Sequence, residues 1–535
     1  VNAIAQEAWL KKLWQQWQLI SATANSLGPI LPPLVKRSLW QRVLKNDEAL
    51  LDAGELIEPV AEAYQWCSRW GFGIDDIPPM TDEAERFKTW WAEYDELLEG
   101  EQSIDEESAF NLLLAAINEG ELATLLPKCV VFSGFDQTPQ PLRRLEQALM
   151  AAGCEVAHHR VRTHCQSLVR LNPDSANTEL EQAANWAKQC FERGESVAVI
   201  VPDLGARLAE IERTFARFFE PENLLVGRAP SHEHFNISSG KSLASCPMIK
   251  TALNLLAWRG APMPVLELKA ELSSLFLLNR EESRRLQLLL ARLSEQTTQL
   301  SLTQLRAEVA AVNASAATNA AKDEESAIKD DQTQTQTQRA PLVVTYEALD
   351  TYAKYLKQLP SKAPLSVWIK HFLALLDAFS WSGERTLNSW EYQQKEHWQQ
   401  VLDHLLGLDQ WLNQLSFSDA LALLREALKT PFHAQTPVAK VQVLGLLEAA
   451  GQLFDNLWWL GVNSHRWPEP VAPNAILPAP WQRENAMPRA SSAQELAYAQ
   501  QMTERLRASA KRVVISAQAY DCLLYTSPSP RDDIS

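Results

Sequence analysis

The chain has 535 residues, 46% of them hydrophobic, and a formal net charge of −16. That length suits roughly three or four domains, and the composition is that of an ordinary globular protein. The charge excludes a surface coated with phosphate contacts, because nonspecific DNA binding relies on clustered Lys and Arg; any nucleic-acid contact must be a local basic groove. No apolar run reaches the ~18 residues of a membrane span, so no membrane partner is expected. Cysteines stand at 67, 129, 154, 165, 190 and 246, with Cys522 in the tail, and none forms a CxxC pair. Neither a zinc site nor a disulfide framework is indicated, and a reduced, cytoplasmic compartment is expected.

Residues 1–125 read as helices. In EAWLKKLWQQWQLI, Leu10, Leu13, Trp17 and Ile20 recur at helical spacing, with Trp9 and Trp14 beside them. LWQRVLKNDEALLDAGELIEPVAEAYQWCSRWG continues the pattern, with Gly71 as a stop. Many of the 19 Trp fall in this block; helix packing accounts for them, with base stacking as the alternative. The first strand is KCVVFSGF (128–135), followed by a turn, the amphipathic helix LRRLEQALMAAG and the strand CEVAHHRV. This order is that of a parallel α/β sheet. It recurs in helix TELEQAANWAKQCFERG, strand SVAVIVPD and helix LGARLAEIERTFARFF. From 240 to 430 the pattern is helical again, broken at 307–340 by a low-complexity stretch almost free of large apolar residues. Such a stretch cannot offset its ordering entropy and is expected to be disordered. A last α/β portion begins at VAKVQVLGLLEAAG, includes the strand NLWWLGV, and ends with helix AQELAYAQQMTERLRAS and strand KRVVISA. The predicted class is α/β, helix-rich, with parallel sheets.

Residues 522–532, CLLYTSPSPRD, resemble a translated transposon-end sequencing adapter, and the chain opens on Val1 rather than Met. The expectation is a gene fragment open at both ends, with the tail set aside from fold reasoning.

The order of blocks resembles UvrD-type superfamily 1 helicases, in which two RecA-like domains each carry an inserted helical domain. The resemblance is strongest to their degenerate relatives, the AddB/RexB subunits of bacterial helicase–nucleases and the DNA repair proteins with a C-terminal PD-(D/E)XK nuclease. It spans most of residues 120–520. It implies two RecA-like (P-loop NTPase-like) parallel-sheet domains with large helical insertions. The corresponding divisions are a 1B-like helical domain (1–125), the end of the first RecA-like domain (126–170) and the start of the second (171–235). A 2B-like helical insertion (236–430) with the disordered loop 307–340 follows, then the remainder of the second RecA-like domain (431–520) and an adapter-derived or disordered tail (521–535).

The family's motifs are degenerate here. An active helicase needs two carboxylates at the end of a buried strand, one holding Mg²⁺ and one positioning water. In CVVFSGFDQTPQ the frame survives, but Ser133 and Gly134 stand where Asp and Glu should be, and Asp136 has moved past the Phe. Arg207, in the motif IV-like SVAVIVPDLGARLAEIE, is either a remnant of the nucleotide-contacting Arg or an ordinary surface-helix Arg. In VQVLGLLEAAGQLFDNLWWLGV, which resembles motif V, Gly451 and Phe454 keep the frame. Leu447 and Ala450 replace the His and Lys, and Glu448 follows the lost His. HRWPEPVAPNAILPAPWQR is especially like the nuclease-bearing repair family. Arg505 lies near motif VI without its framing and is not assigned.

Three further patterns carry no chemistry. SSGKSL lacks the Gly five residues before Gly240 that a phosphate loop needs, Phe235 standing there with no strong strand leading in. Pro202-Asp203 and Glu267-Leu268-Lys269 spell a nuclease signature, but Glu267 falls in a helical pattern, whereas such a site converges from one sheet. His158 with His159, and His232 with His234, lack partners at ligand spacing and read as loop residues.

The resemblance therefore implies a non-hydrolytic helicase-like scaffold of a DNA repair or recombination helicase–nuclease. It would bind single-stranded DNA and position a C-terminal nuclease missing from this chain. No cofactor is expected in the chain itself, with Mg²⁺ belonging to the missing nuclease. Two alternatives stand beside this: a docking subunit that binds a partner helicase chain, and an active ATP-dependent helicase whose P-loop lay before Val1. Ser133 and Gly134 weigh against the second.

Overall fold

The computed structural model describes residues 4–47, 50, 54–135, 138–221, 234–323, 341–432 and 439–518. The chain divides into two compact units, Val1–Ser239 with Gln435–Ser535, and Gly240–Ala434. The adapter-like tail and His232 lie outside the described residues.

The first unit begins with six helices, α1 (Gln6–Ile20), α2 (Ala22–Ser26), α3 (Pro33–Asn46), α4 (Ile57–Trp70), α5 (Asp82–Gly100) and α6 (Glu106–Asn118). On α1 the buried stripe is Leu10, Leu13, Trp14 and Trp17. Ile20 departs from the expected stripe and is 56% exposed, because the helix ends there and Ser21 starts α2. Trp14, Trp17, Trp40, Trp90 and Trp91 are all buried, which makes them packing residues rather than stacking platforms. Gly71 ends α4 with φ +90°, a left-handed cap that favours glycine. A Cβ there would also meet the Arg144 guanidinium at 3.0 Å.

A two-stranded parallel sheet follows: β1 (Cys129–Ser133) and β2 (Glu155–His159), joined through α7 (Gln140–Ala151). Phe132 turns into the helical core while Val131 stays exposed.

The main sheet has six strands, all parallel, in the order β3 (Ser167–Leu171), β12 (Ala510–Ser516), β11 (Phe454–Trp459), β4 (Val197–Ile200), β10 (Val441–Leu444), β5 (Phe235–Ile237). Helix α8 (Ala176–Glu192) links β3 to β4, and α9 (Leu204–Phe219) links β4 to β5. Every residue of β4 is buried. Val197, Val199 and Val201 face a core with Leu180, Ala183, Ala187 and Phe215 of α8 and α9. Ala198 and Ile200 face the opposite core, with Leu457, Trp459 and the helix Ser492–Arg507 through Met502 and Leu506. Burial on both faces is why the strand reads as a continuous apolar run.

Two strands straddle expected divisions. Strand β3 crosses 170/171 and pairs with β12 in the main sheet. Strand β5 straddles 235/236, so the sheet continues into the segment expected to be helical.

Residues 240–434 form the second unit, mostly helical, with two short antiparallel pairs, β6 (Lys241–Ser242) with β9 (Pro431–Phe432) and β7 (Met263–Pro264) with β8 (Gln299–Leu300). The expected disorder over 307–340 fails in its first part, since Leu302–Asp323 is one helix. Alanine-rich sequence has high helix propensity, and Leu305 and Val309, both fully buried, anchor it. Asn313 adds a clasp, its Oδ1 accepting from Leu342 N at 2.6 Å and its Nδ2 donating to Leu342 O at 3.3 Å. Residues 324–340 lie outside the described ones. Among the described residues no helix is long and apolar enough to cross a membrane.

The amino edge of the main sheet is tied by Asp455. Its carboxylate accepts from Lys511 Nζ (2.8 Å), Ser196 N (3.0 Å) and Ser196 Oγ (2.9 Å). The Lys511 bond, followed by those from Ser196, holds its pKa down at about 2. A depressed carboxylate contributes stability above its unfolded pKa, near 4, that is lost as pH falls through 2. Asp455→Asn should therefore destabilise the protein at neutral pH by about 1 kcal/mol, solvent screening limiting the effect. The melting-temperature gap to wild type should close between pH 4 and 2; a gap independent of pH would overturn this assignment.

Candidate functional site

In an open parallel sheet the loops that follow the strands gather at the carboxyl edge, and ligands bind where the strand order reverses. Here the chain runs from β4 to β5 and β10 on one side, then crosses to β11 and β12 on the other. A cleft of about 1000 Å³ opens at this edge, floored by Pro202 and Gly205 after β4 and by Gly445 and Glu448 after β10. Trp70, Arg143 and Arg489 line it from other segments. The helical block is brought there by Phe72, whose ring lies 5.0 Å from Trp481, and by Asn474, whose Nδ2 donates to Pro59 O and Glu62 Oε2 at 2.9 Å.

A second cleft, about 420 Å³, is lined by Gly134, His159, Arg160, Arg162, Gly451 and Arg505, among others. Arg160 and Gln501 line both clefts, so the two adjoin.

The residues singled out in the sequence distribute unevenly. Ser133 ends β1 and its Oγ lies 3.2 Å from His159 Nδ1. Gly134 (φ +86°) and Gly451 (φ +74°) meet in the second cleft, a Cβ on Gly134 falling 3.9 Å from Ala450 Cβ. Asp136 lies outside the described residues. Glu448 lines the first cleft as a turn-holding residue: its carboxylate accepts from Gly445 N at 2.6 Å and from Ser238 Oγ. Arg207 lines neither cleft. Its guanidinium is held by Glu210, with two contacts of 3.0 Å, as an ordinary helix-surface Arg would be. Arg505 donates to Leu446 O.

The apparent nuclease signature does not assemble. Asp203 precedes α9 and pairs with Arg466 at 3.1 Å, while Glu267 and Lys269 sit on the helix Val265–Leu272. A strand does lead towards G-K-S, namely β5, but Lys241 and Ser242 form β6, and a turn of 3-10 helix (Leu243–Ser245) separates them from the helix Pro247–Trp258, so the motif does not open a helix. His158 pairs with Glu146 at 2.9 Å, and the His234 ring lies 5.6 Å from Phe191. Among the described residues no group of three or more His, Cys, Asp or Glu could hold a metal ion.

Several residues of the clefts were not anticipated. Arg143, Arg160 and Arg162 make no side-chain hydrogen bond or ion pair among the described residues, whereas most other arginines are paired. Glu495 lines the first cleft, and burial pushes its carboxyl pKa up; repulsion from Glu469 adds to this and Arg489 opposes it. Perturbed acids in clefts mark candidate sites. The sequence signal for the arginines was available: residues 156–171, VAHHRVRTHCQSLVRL, contain three arginines and three histidines and no acid.

No protein-family model matches this chain, and no curated protein matches it.

Glu448→Ala removes the acceptor that Gly445 N and Ser238 Oγ share at an exposed turn and should lower stability by about 1 kcal/mol. Arg207→Ala removes only a half-buried i, i+3 pair within one helix and should cost about 0.5 kcal/mol or less. Chemical denaturation of both variants checks this, and equal losses would contradict the roles described.

Proposed function

We propose that this chain is a non-hydrolytic, helicase-like scaffold of a DNA repair or recombination protein, binding single-stranded DNA at the carboxyl edge of its main sheet. On this reading the six-stranded sheet belongs to a RecA-like domain, β1 and β2 belong to a second, and residues 240–434 are a helical insertion. The observation that carries the reading is the composition of the clefts at the strand ends. Ser133 and Gly134 end β1 without a carboxylate, Glu448 is consumed in holding its turn, and unpaired arginines stand beside them. Such a surface is suited to holding a phosphate backbone, and among the described residues it has no carboxylate pair at the end of β1 for metal-assisted hydrolysis.

The nuclease and its Mg²⁺ are carried only by the resemblance. The described residues do not fit such a centre, having no cluster of three ligating side chains. The net charge of −16 favours a second reading, a subunit that docks on a partner helicase chain with little DNA contact.

Fluorescence anisotropy with a labelled oligothymidylate separates the two. The scaffold reading requires binding that weakens steeply with salt, the mark of counterion release, with no DNA-stimulated ATP hydrolysis. Absence of binding at low salt would leave the docking reading, and DNA-stimulated ATPase activity would overturn both in favour of an active helicase.

A further inference from the structure

The chain is acidic overall, yet the segment between β2 and β3 is not. Residues 158–164, HHRVRTH, leave the carboxyl end of β2 along the second cleft, which is lined by His159, Arg160 and Arg162. Both arginines are exposed and make no side-chain hydrogen bond or ion pair among the described residues. The acid facing them in this cleft is Glu504, which lies 3.6 Å from Arg507 and is partly neutralised by it. Arg505 joins them from the helix Ser492–Arg507, while donating to Leu446 O. The first cleft differs: Arg143, Arg160 and Arg489 are balanced there by Glu448, Glu469 and Glu495. Of two adjoining clefts, only the second carries an excess of positive charge.

Unpaired guanidiniums lining one cleft of an acidic protein create a local potential that attracts an anion, and their planar donors match phosphate oxygens. Gly134, next to Arg160 across the β1–β2 pairing, and Gly451 line this cleft without side chains, which leaves room for a backbone ligand to approach. We propose that the phosphodiester backbone of single-stranded DNA is held in this second cleft by Arg160 and Arg162, with Arg143 and Arg489, which line the first cleft alone, contributing no phosphate contact. This rests on the scaffold reading above and names where on it the strand is gripped.

The test measures binding of a fluorescein-labelled oligothymidylate by anisotropy across a potassium chloride series. The proteins are wild type, Arg160→Gln/Arg162→Gln, Arg160→Lys/Arg162→Lys and Lys11→Gln/Lys12→Gln. The last pair is exposed on α1, away from both clefts, and changes the net charge equally. The glutamine pair in the cleft should weaken binding about ten-fold at low salt and flatten the log–log salt dependence by about 1.4, two contacts at about 0.7 each. The lysine pair should keep most of the affinity, and Lys11→Gln/Lys12→Gln should bind like wild type. If wild type binds but the cleft variant binds equally well, or the α1 variant loses as much, the location is wrong and the scaffold reading survives. If wild type itself does not bind, the scaffold reading falls and this inference with it.

Discussion

The pairing of β4 on both sides governs the first unit. Its four residues are wholly buried, so every backbone group must be satisfied by β10 on one side and β11 on the other, and both faces must be covered by apolar side chains. Those demands fix the alternation of Val197, Val199 and Val201 against Ala198 and Ile200. They also dictate that α8 and α9 pack on one face and the helix Ser492–Arg507 on the other. With the faces closed, the two ends of the sheet are what remain for polar chemistry.

Those ends are built differently. The amino edge is closed by its own charges: Asp455 takes Ser196 and Lys511, while Glu195 takes Arg193, Arg512 and the Asn456 amide. The Arg193 bond foremost lowers the Glu195 pKa. At the carboxyl edge the loops diverge, clefts open, and cations stand without a counter-charge. A buried acid there completes the contrast: Glu179, fully buried, accepts from Gly461 N at 3.0 Å and Ser516 Oγ at 2.5 Å, tying α8 to the ends of β11 and β12. The edge is rigid where the backbone needs holding and open where a ligand would enter.

Much of this architecture was legible in residue order. SVAVIV and NLWWLGV are buried on both faces and therefore unbroken in hydrophobicity, and the amphipathic helices between strands mark themselves by spacing. The strands that escaped notice had no such mark. Strand β3 is an exposed edge with an Arg in it, and β5 is three residues long; each is a strand because of what it pairs with. The helix Leu302–Asp323 was hidden for the opposite reason, since two buried anchors and alanine propensity replace the usual apolar stripe. The site was less legible than the fold. Arg207 was picked out by position relative to a motif, but its partner Glu210 sits one turn away and takes it. Glu448 lines the first cleft, and its carboxylate holds a turn. The cleft arginines carry no such mark, since HHRVR has the pattern of a strand end with paired histidines, and their shared cleft exists only once β1, β2 and the helix Ser492–Arg507 have come together.

The placement of residues 240–434 bears on how the molecule is made. Strands β5 and β10 are parallel neighbours, so the whole second unit occupies the position of a crossover connection. Strand β4 cannot complete its pairing until that unit has been synthesised, and the Ser196–Asp455 bond closes over 259 residues of sequence. At ribosomal speeds of about 5–20 residues per second, β4 waits roughly 10–50 s with apolar faces and unpaired edges exposed. The nascent chain thus carries a strand that is apolar on both faces through that delay, and edge strand β3 waits longer still, for β12.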